Sequence, residues 1–593
     1  MAGSRDNGMS GRPNRGTRGW RHSPKGRLGT GLSVAILLAG IVSIASASSA
    51  GPSSIRSEDL REWLSYIASD QLQGRAVFTA GIGLAAGYID SHLHEWGVSP
   101  AGDHGSYLQS VRVLGVKSTS HSTITVEVPG EKRQFSDGNG IVLPKNVGGK
   151  RSFTVDHVEF AGYGIAAPRA GHDDFRGLDV KSAVVVWLGP KGPQGLDAQL
   201  YRRALSGRNR YATEQLRAAA SIGPELPAFG GRGGNPVATP AAGGGGGRGA
   251  AQLPTPDFTT VQRLDDVIAP NVTGKDEFFE FLFSHAPVQY SELKRKSDAQ
   301  EPLPAFRLEN VTMTFNLDNE YQIVRTQLAD NIVAVVEGSD PQLKNTYVAF
   351  GAHYDHVGYA EGEVTKGDNG LRRLGAPGRV TEGAMEDRIW NGADDDGSGT
   401  VGLMALARAF AQGPRPKRSL LFVWHTGEER GLWGSRYFAD YPTIPIDRIV
   451  SQLNMDMIGR NRDDTASESN TVYIIGSDRI SSELDSMNRA ANDSMPKPLT
   501  LDYEFNDPRD LEQLYYRSDH YSYAAKGIPV IFYTTGLHPD YHANTDEVSK
   551  IEFDKMARIV QLVYSTGLSV ANLDRAPVRD NLGPRAGRPT SER

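Results

Sequence analysis

Six side chains of metal-binding type follow one another along the second half of the sequence: His353, Asp395, Glu428, Glu429, Asp456 and His542. Each is expected where a strand runs out into a loop. Two histidines and three carboxylates make up the ligand set of two zinc ions that share one bridging carboxylate. A further carboxylate beside a ligand is what such a centre needs to shuttle a proton.

Each station has a plainer explanation when taken alone. In His353-Tyr354-Asp355 the His and Asp leave a strand end on one side, and a zinc-bound imidazole commonly gives its other N–H to a carboxylate, here Asp355. A lone histidine at a strand end is otherwise an ordinary satisfied polar residue. Residues 391–399 pack Asp394, Asp395 and Asp396 into a glycine-flanked turn entering a helix. Asp and Ser would cap that helix in any case. Three adjacent carboxylates exceed the need, and they repel one another without a cation. Glu428 and Glu429 follow the apolar run 420–424, where a solvated face is a poor account of them. One can bind metal while its neighbour takes a proton from a water. Asp456 lies in the apolar run 452–459, where an unpaired charge is costly, and His542 lies in a loop after a strand at 530–533. Together, in order along the chain, the five stations point to a metal centre.

These residues need a scaffold, and the sequence supplies one. Strands are expected at 331–337, 347–352, 419–425, 450–455, 471–475 and 530–533. Helices are expected at 398–410, from 431 and at 481–491; Leu403, Leu406, Ala407 and Phe410 share one face of the first. Apolar strands alternating with helices imply an α/β fold with a mostly parallel, mixed sheet covered by helices. Ligands collect at the carboxyl ends of such strands. Upstream, Leu60, Trp63, Leu64 and Ile67, then Leu84, Tyr88, Ile89, Leu93 and Trp96, show helical spacing around a polar loop at 69–75. From about 111 to 190 the pattern turns to short β-rich runs such as 122–128 and 182–187. Residues 228–256 are mostly Gly, Ala and Pro, with glycine throughout 243–247, and are expected to form a surface loop without regular structure. The Pro/Arg-rich end, 576–593, is expected to fray.

A chain of 593 residues needs two or three domains, and its 23% charged and 38% apolar residues are those of a globular protein. It has no cysteine, which excludes thiolate-bound zinc, haem attachment and thiol catalysis. At the N-terminus, Arg5, Arg12, Arg15, Arg18, Arg21, Lys25 and Arg27 face Asp6 alone, followed by an apolar run at 32–45 and small residues at 45–50. That order reads as a secretory signal cut after Ala47 or Ala50, with an uncleaved anchor as the alternative. Cleavage would remove seven basic groups and one acidic group, making the formal charge more negative than −6 and arguing against a nucleic-acid partner.

Several stretches closely resemble the co-catalytic zinc exopeptidases of the aminopeptidase Y and bacterial leucyl aminopeptidase type (clan MH). They are Ser69-Asp70-Gln71-Leu72-Gln73-Gly74-Arg75, residues 351–356, 392–399, 426–434 and 454–459, and Arg517-Ser518-Asp519-His520. The resemblance covers nearly all of 55–110 and 329–570, and residues 158–186 look like the protease-associated domain inserted in many members. It implies a zinc exopeptidase fold, with the sheet sandwiched by helices and a β-rich insert. The expected divisions are a signal at 1–50, the first part of the peptidase domain at 51–112, the insert at 113–328, the zinc peptidase domain at 329–575 and a tail at 576–593. It also implies two zinc ions: His353 and Asp456 on one, Glu429 and His542 on the other, Asp395 bridging. Glu428 corresponds to the general base, Tyr541 to a residue that helps an oxyanion, and Arg517, Ser518, Asp519 and His520 to the lining of the substrate cleft. The peptide after the bridging aspartate, Asp395–Asp396, is expected to be cis. Two departures stand out: the Gly-rich segment, and an insertion at 359–390 that lengthens the span between His353 and Asp395.

The function so implied is an exported, zinc-dependent aminopeptidase acting on peptides, secreted or periplasmic, with no membrane contact once the signal is cut. The alternatives are a carboxypeptidase with the same metals, a receptor-like relative that has lost catalysis, and a single-zinc acyltransferase relative. The complete ligand set with both glutamates disfavours the last two. A carboxypeptidase calls for a basic cluster aimed at a terminal carboxylate. Loop 359–390 carries Lys366, Arg372, Arg373, Arg379 and Arg388 against Glu361, Glu363, Asp368, Glu382, Glu386 and Asp387, which gives no net field favouring an anion.

Overall fold

The computed structural model describes residues 51–168, 171–195, 198–225, 254–367 and 370–581. The expected signal, the glycine run and most of the expected tail lie outside the described residues.

Four neighbouring strands form the middle of the main sheet: Ser419–His425, Tyr347–His353, Ile449–Met455 and Val530–Thr534, all parallel. Nearly every residue in them is buried, as a sheet covered on both faces requires. Alternation divides their side chains between two cores. Val348, Phe350 and Ala352 pack with Leu60, Leu64, Leu406 and Phe410, whereas Ala349, Leu421 and Val423 pack with Phe438, Tyr521 and Tyr523. Helices Ser57–Ile67, Gly399–Gln412 and Phe553–Ala571 thus cover one face, and Trp433–Asp440 and His520–Ala524 the other. The α/β sandwich expected from the sequence is present, with parallel pairing in its middle and again at the edge, where Thr471–Ile475 meets Thr500–Asp502. Asn319–Val336 and Thr471–Ile475 flank the four strands in antiparallel pairing. The parallel strands end together at His353, His425, Met455 and Thr534, and the loops that follow carry the candidate site.

Residues 123–317 contribute a second, ten-stranded sheet with its own apolar core, including Val158, Phe160, Val184, Val186, Met313 and Phe315. A helix not anticipated from the sequence, Ala198–Arg210, also stands here. Leu108–Ser120 and Asn319–Val336 join the two sheets as an antiparallel ribbon, paired from Leu108 with Ile332 to Ser120 with Asn319. The borders expected at 112/113 and 328/329 fall inside these strands, because neither strand contains a proline or a polar linker that would end it. Among the described residues, no helix is long and apolar enough to cross a membrane.

The polar loop at 69–75 is part of the scaffold. Arg75 is fully buried and donates to the main-chain oxygens of Tyr354 (3.0 Å), Ile67 (2.7 Å), Asn391 (2.6 Å) and Gly392 (3.0 Å). It thereby ties the loops after His353 and before Asp395 to one point. Burial pulls its guanidinium down to about 10 against the acidic field of Asp355 and Asp396. Gly74 is required beside it: its φ is +66°, and a Cβ would lie 2.4 Å from Gly358 O.

Candidate metal centre

The turn at 393–398 sorts its three aspartates by role. Asp396 accepts from the main-chain N–H groups of His353 (3.1 Å), Gly399 (2.9 Å) and Met457 (3.2 Å). Asp394 accepts from Gly459 N–H (2.6 Å) and faces His538 Nε2 at 3.3 Å. The N–H groups of Asp394 and Asp395 both donate to the Asp546 carboxylate. Asp394 and Asp396 therefore fasten the turn to neighbouring loops, Asp396 also lying within metal-ligand reach of His353 and Asp456, while Asp395 turns to both halves of the centre. The Asp395–Asp396 peptide is cis, as expected.

Asp395 stands between two groups of ligand-type atoms. Its Oδ1 is 3.3 Å from His353 Nε2, and its Oδ2 is 2.8 Å from His542 Nε2. His353 Nε2 is also 3.7 Å from Asp456 Oδ2 and 3.8 Å from Glu428 Oε2, while His542 Nε2 is 3.0 Å from Glu429 Oε1. The structure thus brings together the residues that the family resemblance grouped. Atoms that share a tetrahedral zinc lie roughly 3.3 Å apart, so the separations suit an ion on either side of Asp395. His353 Nε2 and Asp395 Oδ2 are buried without a hydrogen bond, which a cation would compensate.

The charges of the cluster are strongly coupled. Burial and Glu429 push the Asp395 carboxyl up, yet His542 and His353 outweigh them and hold it well below the carboxylate range. Burial, opposed by His353 and reinforced by Glu429 and Asp456, pushes Glu428 well above its ordinary value. A raised carboxyl beside ligand-type groups suits proton transfer.

The structure corrects the expected role of Asp355. His353 Nδ1 lies 3.0 Å from the main-chain oxygen of Asp355 and 3.6 Å from its carboxylate. The carbonyl therefore orients the imidazole. The carboxylate instead accepts from the main-chain N–H groups of Glu428 (3.1 Å) and Glu429 (3.4 Å), fixing the loop that presents both glutamates. The turn of chain needed to bring Asp355 under that loop is not visible in a two-residue spacing.

The stretch expected to line the cleft divides in the same way. Arg517 keeps 28% of its side chain exposed and donates to Tyr541 Oη (3.1 Å), whose ring stacks on that of His542. Ser518, Asp519 and His520 are all buried and face inward. Ser518 accepts from Asn454 Nδ2 (2.9 Å), Asp519 Oδ2 lies 3.3 Å from His425 Nδ1, and His520 stacks on Phe532. Burial draws the His520 imidazole down to about 3, which keeps it neutral.

His356 was given no role from the sequence. It is 2% exposed, with Nδ1 3.0 Å from Glu429 Oε1 and 4.0 Å from Asp395 Oδ2, so a second imidazole borders the Glu429 side. Its signal was its place in the His353–His356 stretch, but strand alternation, which stops at His353, could not aim it.

Residues 331–566 match Peptidase family M28. Leucine aminopeptidase 1 of Trichophyton equinum is 27% identical over 243 residues, 39% of this chain and 56% of that protein. A probable zinc metalloprotease of Pyrenophora teres f. teres is 27% identical over 368 residues, 54% of this chain and 70% of that protein. The chain thus spans about half the length of the leucine aminopeptidases it matches. Among solved structures, an aminopeptidase from Aneurinibacillus sp. strain AM-1 is 16% identical with a TM-score of 0.40, covering 90% of this chain and 96% of that one. BSAP, a zinc aminopeptidase from Bacillus subtilis, is also 16% identical, with a TM-score of 0.39 over 89% of this chain and 99% of that one. The matched residues, 331–566, hold the whole candidate centre.

Proposed function

We propose that the chain is a zinc-dependent aminopeptidase that removes N-terminal residues from peptides. The observation that carries this is Asp395, with one oxygen turned to His353 and the other to His542. His353, Asp456 and Asp395 would hold one zinc, and Asp395, Glu429 and His542 the other. Bound zinc supplies Lewis acidity to a water and to the scissile carbonyl. The chain's own residues handle the proton and the developing charge. Glu428, held by Asp355 through its main chain, would take a proton from the attacking water and pass it to the leaving amine. Tyr541, whose hydroxyl oxygen accepts from Arg517, has its own proton to offer the oxyanion. Similarity to proteins named leucine aminopeptidase and zinc metalloprotease supports the metal and the peptide substrate. The second sheet would be a protease-associated domain, and residues 1–50 an export signal.

The direction of attack is favoured by how loop 359–390 uses its arginines. Arg372 donates to Pro377 O (3.2 Å), Arg373 to Gly362 O (2.8 Å) and Met385 O, and Arg379 to Pro539 O and Tyr541 O (each 2.7 Å). These guanidinium groups hold the loop and the segment before His542, so they form no cluster for a terminal carboxylate. Two peptides test this reading, one acetylated at its N-terminus and one amidated at its C-terminus. The amidated peptide is expected to be cleaved and the acetylated one left intact. The opposite result would make the chain a carboxypeptidase.

A further inference from the structure

Helix Ala198–Arg210 and the turn that continues it, Tyr211–Gln215, belong to the inserted region but pack against the segment leading to Arg517. Glu214 accepts from Tyr521 Oη (2.9 Å), and Gln215 accepts from Tyr516 Oη. Gly207 admits Gln513 so closely that a Cβ would lie 2.7 Å from its side-chain amide. In the middle of this contact Arg203 forms an ion pair with Glu512.

Glu512 has a second partner. Arg517 Nη1 donates to Glu512 Oε2 (3.1 Å), while Arg517 Nη2 donates to Tyr541 Oη (3.1 Å). The Tyr541 ring stacks on His542, with centroids 3.8 Å apart. Four side chains, Arg203, Glu512, Arg517 and Tyr541, thus lead in unbroken contact from the insert to the Asp395 centre. An isolated surface ion pair contributes little, because solvent screens it and each partner loses rotamer freedom. This one differs in arrangement. One carboxylate sits between two guanidinium groups whose charges oppose each other, and burial together with Arg517 draws the Arg203 guanidinium down. Without Glu512 the two arginines repel, and Arg517 loses one of the two side chains that hold it in place.

We infer that Arg203, from the inserted domain, and Glu512 are positioning residues that hold Arg517 and Tyr541 against the reacting carbonyl. The insert is then part of the active enzyme. This rests on the aminopeptidase reading, since the role of Tyr541 does. Arg203 and Glu512 reach the Asp395 cluster only through Arg517 and Tyr541, so their loss should lower kcat while leaving bound zinc and KM in place.

The test uses the full zinc-loaded chain with leucine p-nitroanilide. Glu512→Ala is expected to lower kcat by about tenfold to a hundredfold, the usual cost of freeing a group that orients the reaction. Arg203→Ala should lower it less, Arg203→Lys should recover most of that loss, and the double alanine variant should be no slower than Glu512→Ala alone. Zinc content and Tm, measured alongside, should match the wild type. An active wild type whose alanine variants keep their kcat overturns the inference. So does a loss of kcat that follows lost zinc or lowered Tm, or one that Arg203→Lys does not recover. An inactive wild type would instead overturn the aminopeptidase reading beneath it.

Discussion

Glu428→Gln is expected to bind zinc and fold as the wild type does while losing turnover by about a hundredfold to ten-thousandfold, the range that general-base catalysis supplies. The amide keeps the shape of the side chain and removes its basicity. The loop beneath it should not move, because Asp355 holds the main-chain N–H groups of residues 428 and 429 and does not depend on the side chain. Metal should stay as well: Glu429, not Glu428, lies within 3.0 Å of His542 Nε2. Steady-state rates with zinc analysis on the same sample check this. A fully loaded Glu428→Gln variant with wild-type turnover would remove Glu428 from the mechanism.

Asp395→Ala is expected to fail at an earlier step, by losing metal. Asp395 faces both histidines, so under the proposed assignment its removal would take a ligand from each half. The affinity lost should exceed the tenfold to hundredfold that an outer hydrogen-bond partner is worth, roughly, in such sites. The turn itself should survive, because Asp394 and Asp396 fasten it through main-chain N–H groups of Gly459, His353, Gly399 and Met457. Zinc analysis beside a circular dichroism melt separates the outcomes. Two ions retained by Asp395→Ala would refute the bridging assignment.

The candidate residues were legible in the sequence because they lie at or just beyond the ends of apolar strands and in the turn entering a helix. Their division between two ions came from the family resemblance. Local pattern fared worse wherever a role depends on how one loop folds back on another. Asp355 was assigned to His353 by its spacing, yet its carboxylate lies beneath Glu428 and Glu429. The four residues at 517–520 look equally polar in the sequence, but in the turn leading into the helix His520–Ala524 all except Arg517 are buried. His356 reaches Glu429 only because the chain leaves the sheet after His353. Arg75 belongs to a recognisable motif, but the four carbonyls it joins come from three separate segments. The fold shows the same division. The apolar strand runs announced a buried α/β sheet, whereas the antiparallel flanks and the ribbon through 319–336 depend on pairing partners that no single segment reveals.

Zinc stoichiometry tests the central claim most directly. The purified chain would be stripped with a strong chelator, titrated with zinc, and read by native mass spectrometry alongside hydrolysis of a free-amino peptide. The expected result is no hydrolysis in the stripped chain, two zinc ions bound at saturation and full return of activity, since the chemistry depends on the acidity the ions supply. Hydrolysis that survives complete stripping, or a saturated chain that holds no zinc, would contradict the account.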